Sequence, residues 1–161
     1  MKVLFRDRRQ DAALEADHRA DEGVDGDEQR ELREVLAQAE AMRHVMKTLF
    51  ILNEAPYGSE RTYNGARLAG SLSKASGAEV SVFLMGDAAS CAKDHQKVPE
   101  GFYNIQLMLS RIARNGGQLG VCGTCMDARG IAETELFQDA RRSTLDALTS
   151  WTQWADNVIV F

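Results

Sequence analysis

Short apolar runs alternate with amphipathic stretches from residue 46 to the last residue, and this alternation strongly restricts how the chain can fold. The apolar runs are continuous, as in strands buried on both faces, and lie at residues 48–53, 79–85, 118–122 and 157–161. The amphipathic stretches have the period of a helix and lie at residues 60–75, 103–117 and 143–156. Strands alternating with helices predict an α/β fold, namely a doubly wound, mainly parallel sheet with helices on both faces.

The first 45 residues differ from the rest in charge and in apolar content. They hold 8 Lys and Arg against 12 Asp and Glu, whereas residues 46–161 hold 11 against 12. The stretch 8–29 has too little apolar surface to offset the entropy lost on ordering, so we expect it to be mobile. Strong helix formers follow at 28–45. We therefore expect a charged extension, residues 1–45, partly disordered with one short helix, and then a single α/β domain, residues 46–161.

Composition argues against several classes of partner. The net charge is −5 and no run of Lys or Arg occurs, so nucleic acid is not an expected partner. The apolar runs are far shorter than the roughly 20 residues that span a bilayer, so a membrane is not expected either. The first residues reach charge too early for a secretory signal, and three cysteines are an odd number for a disulfide framework. We therefore expect a cytoplasmic protein.

The sequence "LGVCGTCMDARGI" at residues 119–131 places two thiols, Cys122 and Cys125, at the end of the third predicted strand. In such sheets, ligands gather beyond the carboxyl ends of the strands, where loops and helix N-termini meet. A cysteine reacts as its thiolate, which a nearby arginine favours. Arg129 is the closest cation in the sequence, and Asp127 would oppose it. Cys122 is therefore the candidate reactive thiol, with Cys125 as a resolving thiol or a packed neighbour.

The spacing of the two thiols leaves several chemistries open. A dithiol oxidoreductase uses such a pair at the start of a helix. A structural zinc site needs four ligands, and Cys91 and His95 would complete the set. Both cysteines could also be core residues, because free cysteine is among the most buried residue types. The loop "NEAPYGSE" lacks the Gly-Lys-Ser/Thr ending of a phosphate-binding loop, and we expect no cofactor.

Five motifs in order carry a resemblance to a known family: "APYGSE", "FLMGDA", "EGFYNIQLML", "CGTCMDARGI" and "SWTQWADNVIVF". Residues 46–161 resemble the DsrE/DsrF-like family, and in particular its YchN-type members, whereas residues 1–45 lie outside the match. The resemblance implies a Rossmann-like α/β/α protomer that assembles into a homo-oligomer, either a trimer or a hexamer. Relatives of the DsrE and TusD types carry sulfur as a persulfide on one cysteine, and the matching cysteine is Cys122.

The sequence and the resemblance together predict a reactive cysteine in sulfur transfer or related thiol chemistry, with a sulfur donor or acceptor protein as partner. Cys125 would then attack a Cys122 persulfide or disulfide. The alternatives are a non-catalytic oligomeric module that binds a small ligand, a dithiol redox protein and a zinc site. Four further residues at the same end of the predicted sheet are expected to line the pocket: Tyr57, Ser59, Asp87 and Arg129.

Overall fold

The computed structural model describes residues 26–41 and 45–161. The first segment is helix α1, Gly26–Ala41, which belongs to a separate unit from residues 44–161. Helix α1 begins two residues before the stretch in which the sequence predicts a helix, and its first turn includes the end of the stretch expected to be mobile. The rest of that stretch, residues 8–25, lies outside the described residues.

Five strands form one sheet, and every adjacent pair of strands is parallel. The strands are β1 Met46–Leu52, β2 Ala78–Leu84, β3 Gln118–Cys122, β4 Ala140–Ser143 and β5 Asn157–Val160. Their order across the sheet is β4-β3-β2-β1-β5. The predicted α/β fold with a parallel sheet is confirmed.

Four helices belong to this sheet domain: α2 Arg61–Leu72, α3 Ile105–Arg114, α4 Gly123–Asp127 and α5 Leu145–Trp154. Two short 3-10 helices, Gly86–Ala92 and Glu133–Glu135, lie in the connections. Side-chain oxygens cap two of the longer helices, since Asn104 accepts from Leu107 N at the start of α3 and Thr144 accepts from Ala147 N at the start of α5. Within the described residues, no helix is both long and apolar enough to cross a bilayer.

Of the five strands in the described part of the chain, β4 alone is not predicted by the apolar pattern. Its sequence is Ala-Arg-Arg-Ser, and of these four residues only Ala140 is buried. An edge strand pairs on one side alone and does not need the continuous apolar run of a central strand. The backbone of β4 nevertheless pairs with β3 over four positions, and this pairing places Ser143 beside Cys122.

The two faces of the sheet carry separate apolar cores. Successive residues of a strand point to opposite faces, so Phe50 packs in the cluster beneath α2 and α3 whereas Leu49 packs in the cluster that also contains Leu148 of α5. Phe83 and Cys122 join Leu49 in that second cluster. The domain therefore has three layers, with α2, α3 and the short α4 on one face and α5 on the other.

The chain changes direction across the sheet after β4. Strands β1 to β4 follow one another in one direction, and α5 then returns the chain past all of them to β5. The carboxyl end of β3 leads into α4, whose Met126 packs on the α2–α3 face, whereas the end of β4 leads into α5 on the other face. Such a divergence between neighbouring strands opens a crevice at their carboxyl ends, which is where open α/β sheets bind ligands.

Candidate functional site

A cavity of about 400 Å³ occupies this crevice between the ends of β3 and β4. Both cysteines of the thiol pair line it, together with Phe83, Met85, Arg142 and Leu145. Most of the wall is therefore apolar, with one guanidinium and two thiols as its chemically distinctive groups. A mainly apolar cleft with a few polar groups is typical of small-molecule sites and of sites that exclude water from a reacting atom.

Cys122 is the last residue of β3 and is 9% exposed. Its Sγ lies 3.3 Å from Thr124 Oγ1 and also takes part in a hydrogen bond with the Cys125 side chain. Burial opposes ionisation of Cys122, but the hydrogen bonds from Cys125 and Thr124 outweigh it, so the pKa of Cys122 lies below its ordinary value. The thiolate, which is the nucleophilic form, is therefore favoured at Cys122.

The pKa of Cys125 is shifted in the opposite direction to that of Cys122. The backbone N–H of Gly86 donates to Cys125 Sγ at 3.2 Å, which favours the thiolate, but this effect is the smaller one. Burial, and then the hydrogen bond to Cys122, raise the pKa of Cys125 above its ordinary value. Because the two thiols share one hydrogen bond, ionisation of Cys122 keeps the proton on Cys125. When Cys122 ionises, the pair is a thiolate with a neighbouring thiol donor.

Arg129 and Asp87 lie outside the cavity and stabilise residues 122–125, the segment with the two thiols, which we call the thiol loop. Arg129 Nη2 donates to Asp87 Oδ1 at 2.5 Å, and its Nη1 donates to the carbonyl oxygen of Cys125 at 3.0 Å. Asp87 lies in the 3-10 helix after β2 and Arg129 follows α4, so the ion pair ties two neighbouring loops together. Arg129 therefore positions the backbone of Cys125, and Asp87 balances its charge.

Arg142 is the cation that lines the cavity itself. It forms a bidentate ion pair with Asp127, in which Nη1 donates to Oδ1 at 2.8 Å and Nη2 donates to Oδ2 at 2.7 Å. The hydrogen bonds to Asp127, and to a smaller extent the charge of Cys122, raise the pKa of Arg142. A Cβ on Gly123 would lie 2.9 Å from Arg142 Nε, so the glycine lets the guanidinium lie close over the backbone beside Cys122.

Sequence reasoning missed Arg142 because it lies on β4, the unpredicted strand. The expectation that Asp127 would oppose Arg129 is also wrong, since the Asp127 carboxylate pairs with Arg142 instead. The only local signal was a polar Arg-Arg dipeptide followed by Ser-Thr ahead of a helical stretch. Its proximity to the thiol pair depends on the pairing of β3 with β4, which leaves no mark in the sequence.

None of the four predicted lining residues is among those that line the cavity, and two of them, Tyr57 and Ser59, belong to a different loop. Tyr57 Oη donates to Gln96 Oε1 at 2.7 Å, and its ring stacks on Tyr103. Ser59 is half-buried, and its Oγ has no hydrogen-bond partner among the described residues. Both belong to the loop after β1, which is two strands from β3, whereas Asp87 follows the adjacent strand β2. Of the four, the structure brings only Asp87 and Arg129 to the thiol loop.

The proposed zinc ligands are not gathered at one point. Cys91 is fully buried beneath α2 and α3, donates from Sγ to Glu54 O at 3.8 Å, and has a pKa raised to about 12 by burial. His95 is exposed beside Asp94. In the part of the chain that the structure describes, no three His, Cys, Asp or Glu side chains form a cluster that could hold a metal ion. All three cysteines lie in this part and are free thiols.

Comparisons with known proteins give one consistent result for the sheet domain. A sequence model of the DsrE/DsrF-like family matches residues 46–161. Protein YchN of Escherichia coli K12 is 39% identical over 118 residues, which are 73% of this chain and all of YchN. Uncharacterized protein MJ0989 of Methanocaldococcus jannaschii is 35% identical over 116 residues, 72% of this chain and all of that protein. The crystal structure of E. coli YchN gives a TM-score of 0.63 at 36% identity, covering 72% of this chain and 99% of that one.

Proposed function

Since this chain belongs to the DsrE/DsrF-like family, we propose that it is a sulfur-transfer protein in which Cys122 carries sulfur as a persulfide. The observation that carries the proposal is the hydrogen-bonded state of Cys122. Its sulfur is at a cavity, and two side chains, Thr124 and Cys125, hydrogen-bond to it in a way that favours its thiolate. Family membership is consistent with a sulfur relay, and this geometry supports Cys122 as the carrier.

The transfer requires one nucleophilic displacement at sulfur. The Cys122 thiolate attacks the outer sulfur of a donor persulfide, a bond forms between the two sulfurs, and the sulfur–sulfur bond of the donor breaks. The donor leaves as a thiolate, and the proton of its persulfide stays on the transferred sulfur. In the second step the thiolate of an acceptor attacks that sulfur, and Cys122 leaves as a thiolate. No net oxidation or reduction occurs in this exchange.

Cys125 serves this exchange as the hydrogen-bond donor that steadies the Cys122 thiolate before attack and after release. It also provides a second outcome for the persulfide. If Cys125 attacks the inner sulfur, hydrosulfide leaves and a Cys122–Cys125 disulfide forms, which a cellular dithiol reductant must then reopen. The raised pKa of Cys125 disfavours this outcome, because only its thiolate attacks.

The walls of the cavity protect the loaded form. Phe83, Met85 and Leu145 present apolar groups to the same cavity as Cys122. A persulfide is lost to small thiols and oxidants that reach it, so the apolar wall of the cavity reduces that loss. The free thiols also fit a reducing compartment, and we propose the cytoplasm as its location.

Mass spectrometry of the full chain after exposure to glutathione persulfide tests the proposal. We expect one additional sulfur atom on the peptide that contains Cys122 and none on the peptide that contains Cys91, because Cys91 is fully buried with a raised pKa. Unfolded protein, in which every cysteine reacts, is the control for donor activity. Sulfur found only on Cys125, or on no cysteine of the folded protein, would contradict the carrier role.

We propose further that the protein is a homo-oligomer, a trimer or a hexamer. Its support is an incompletely covered apolar surface on the α5 face of the sheet. Leu145 is 68% exposed, Val160 is 61% exposed, and Val158 is also exposed. Strands β1 to β3 and β5 share this face with a single helix of 10 residues. A second copy that covers these side chains would recover their burial energy, about 25 cal/mol per Å² of apolar surface.

Light scattering of the purified chain tests the oligomer. We expect a mass of at least three protomers, and we expect Val160→Lys to shift the distribution toward smaller species, because it introduces a charge on the exposed apolar surface. Lys97→Glu, on an exposed polar loop, is the control and should leave the mass unchanged. A monomer at all concentrations would contradict the proposal.

A further inference from the structure

The outer surface of helices α2 and α3 is strongly basic on a chain that is acidic overall. Residues 61–74 and 104–117, which contain the two helices, hold five cations and no Asp or Glu: Arg61, Arg67, Lys74, Arg111 and Arg114. The net charge of the whole chain is −5. A region of +5 on such a chain produces a local positive potential that attracts negatively charged partners.

Three of these five cations form no ion pair with any residue that the structure describes. Lys74, Arg111 and Arg114 are exposed, and none of them forms an ion pair with a described residue. Arg67 lies 5.3 Å from the centre of the Tyr63 ring and donates to Asn64. Arg61 has a long ion pair, at 3.8 Å, to a partly exposed Glu54. Like charges gathered without partners repel one another, so their stability benefit to the isolated domain is small or negative.

A groove with an apolar floor runs between these cations. Its volume is about 270 Å³, and its lining includes Ala66, Gly70 and Met108 as well as Arg67, Lys74 and Arg111. The small residues on α2 leave the floor open, and Leu68 and Leu107 are exposed on the same pair of helices. We call this feature the α2–α3 groove. It combines an apolar floor with a cationic rim, the complement of an acidic amphipathic helix.

We propose that the α2–α3 groove docks an acidic amphipathic helix of a partner protein. Leucine-type side chains of that helix contact Ala66, Gly70 and Met108, and its carboxylates pair with Arg67, Lys74 and Arg111. Helix α2 has 12 residues, about 18 Å, which matches a partner helix of about three turns.

The surface favours a protein helix over a nucleic acid. Single-stranded nucleic acids bind where successive aromatic faces are free to stack on bases. Here Tyr103 stacks on Tyr57 at 5.7 Å and on Tyr63 at 4.2 Å, and Arg67 lies over Tyr63. Phe102 is the one aromatic residue of this described cluster with a largely exposed ring. One free ring does not make a stacking platform, whereas the apolar floor is of use to leucine side chains.

The position of the groove leaves the thiol cavity accessible. In each β-α-β unit the helix returns the chain from the carboxyl end of one strand to the amino end of the next, so Lys74 and Arg111, near the ends of their helices, lie toward the amino ends. Cys122 lies at the carboxyl end of β3. A bound helix therefore holds a partner without closing the cavity that contains Cys122.

Fluorescence anisotropy with the full chain tests the docking. The probe is a fluorescein-labelled synthetic peptide of about three to four helical turns, with Leu and Glu placed at helical spacing on opposite faces. We expect saturable binding that weakens with added salt, and at least a tenfold loss of affinity, about 1.4 kcal/mol, in Arg111→Glu and in Lys74→Glu. Lys97→Glu makes the same type of charge change outside the groove and should bind within about twofold of the native chain.

Two further probes complete the test. A peptide of the same composition in scrambled order should bind at least about tenfold more weakly, since its leucines no longer share one face. A single-stranded RNA of similar charge should bind more weakly than the amphipathic peptide. Equal binding of the scrambled peptide, tighter binding of the RNA, or an equal loss in Lys97→Glu would each overturn the proposal.

Discussion

Replacement of Cys122 by serine is expected to reduce sulfur loading from a persulfide donor by at least about a hundredfold, to the level of a blank. Serine occupies nearly the same volume at the end of β3, so the strand and the cavity persist. Its hydroxyl does not ionise near neutral pH, and an oxygen nucleophile cannot hold sulfur as a persulfide. Quantitative mass spectrometry of the loaded protein gives the measurement.

The matched control is Cys125→Ser, which removes the second thiol of the same loop. The serine hydroxyl can still donate a hydrogen bond to the Cys122 thiolate, so loading should persist. Undiminished loading in Cys122→Ser, or complete loss in Cys125→Ser alone, would place the reactive sulfur at Cys125 and contradict the assignment.

The pH dependence of loading gives a second measure of the same assignment. Only the thiolate attacks, so the rate rises with pH and levels off above the pKa of the reacting group. For native Cys122 the midpoint should lie below that of an ordinary thiol, because its pKa is lowered. Thr124→Val removes a hydrogen bond to the thiolate and should move the midpoint upward without changing the plateau. A midpoint that stays in place would show that Thr124 does not tune Cys122.

Phe50→Ala is expected to reduce the free energy of unfolding by about 3–5 kcal/mol. The Phe50 side chain is 0% exposed on β1 and packs in the core beneath α2 and α3. Truncation removes the apolar contacts of the ring and leaves a cavity that the flanking strands β2 and β5 prevent from closing fully. Denaturant unfolding followed by circular dichroism measures the change.

Phe102→Ala makes the same chemical change at a residue that is 70% exposed. Its effect on the free energy of unfolding should stay within about 0.5 kcal/mol, because little buried surface is lost. Similar losses in the two variants would mean that Phe102 is buried in the protein as it exists in solution, for example in an interface between copies.

The apolar pattern predicted the central strands well because burial on both faces requires it. The runs at 48–53, 79–85 and 118–122 correspond to β1, β2 and β3, which lie side by side in the sheet. Strand β4 escaped prediction because an edge position permits polar side chains, and its two arginines are exposed. The apolar pattern therefore identifies strands that are buried on both faces, but it does not identify a polar strand at the edge of the sheet.

The residues of the candidate site also fall into those that the sequence predicted and those that it did not. Cys122 and Cys125 were found because their three-residue spacing and strand-end position are local properties of the sequence. Tyr57 and Arg142 depend on the order of the strands, since β1 is separated from β3 by β2 whereas β4 is adjacent to it. That order results from tertiary packing, and no local motif records it. The C-x-x-C spacing also does not predict which thiol ionises first, because the two pKa values depend on burial and on hydrogen bonds from groups such as Thr124 and Gly86.

The buried thiol of Cys91 can be used to measure how often the layer formed by α2 and α3 separates from the sheet. Its thiol is fully enclosed beneath α2 and α3, and burial holds its pKa near 12, so an alkylating reagent reaches a reactive sulfur only when this layer comes apart. The rate at which Cys91 is labelled is then the product of the opening equilibrium and the rate for an exposed thiol. One native cysteine thus reports the free energy of this opening without any engineered probe, while Cys122 reports the chemistry of the site.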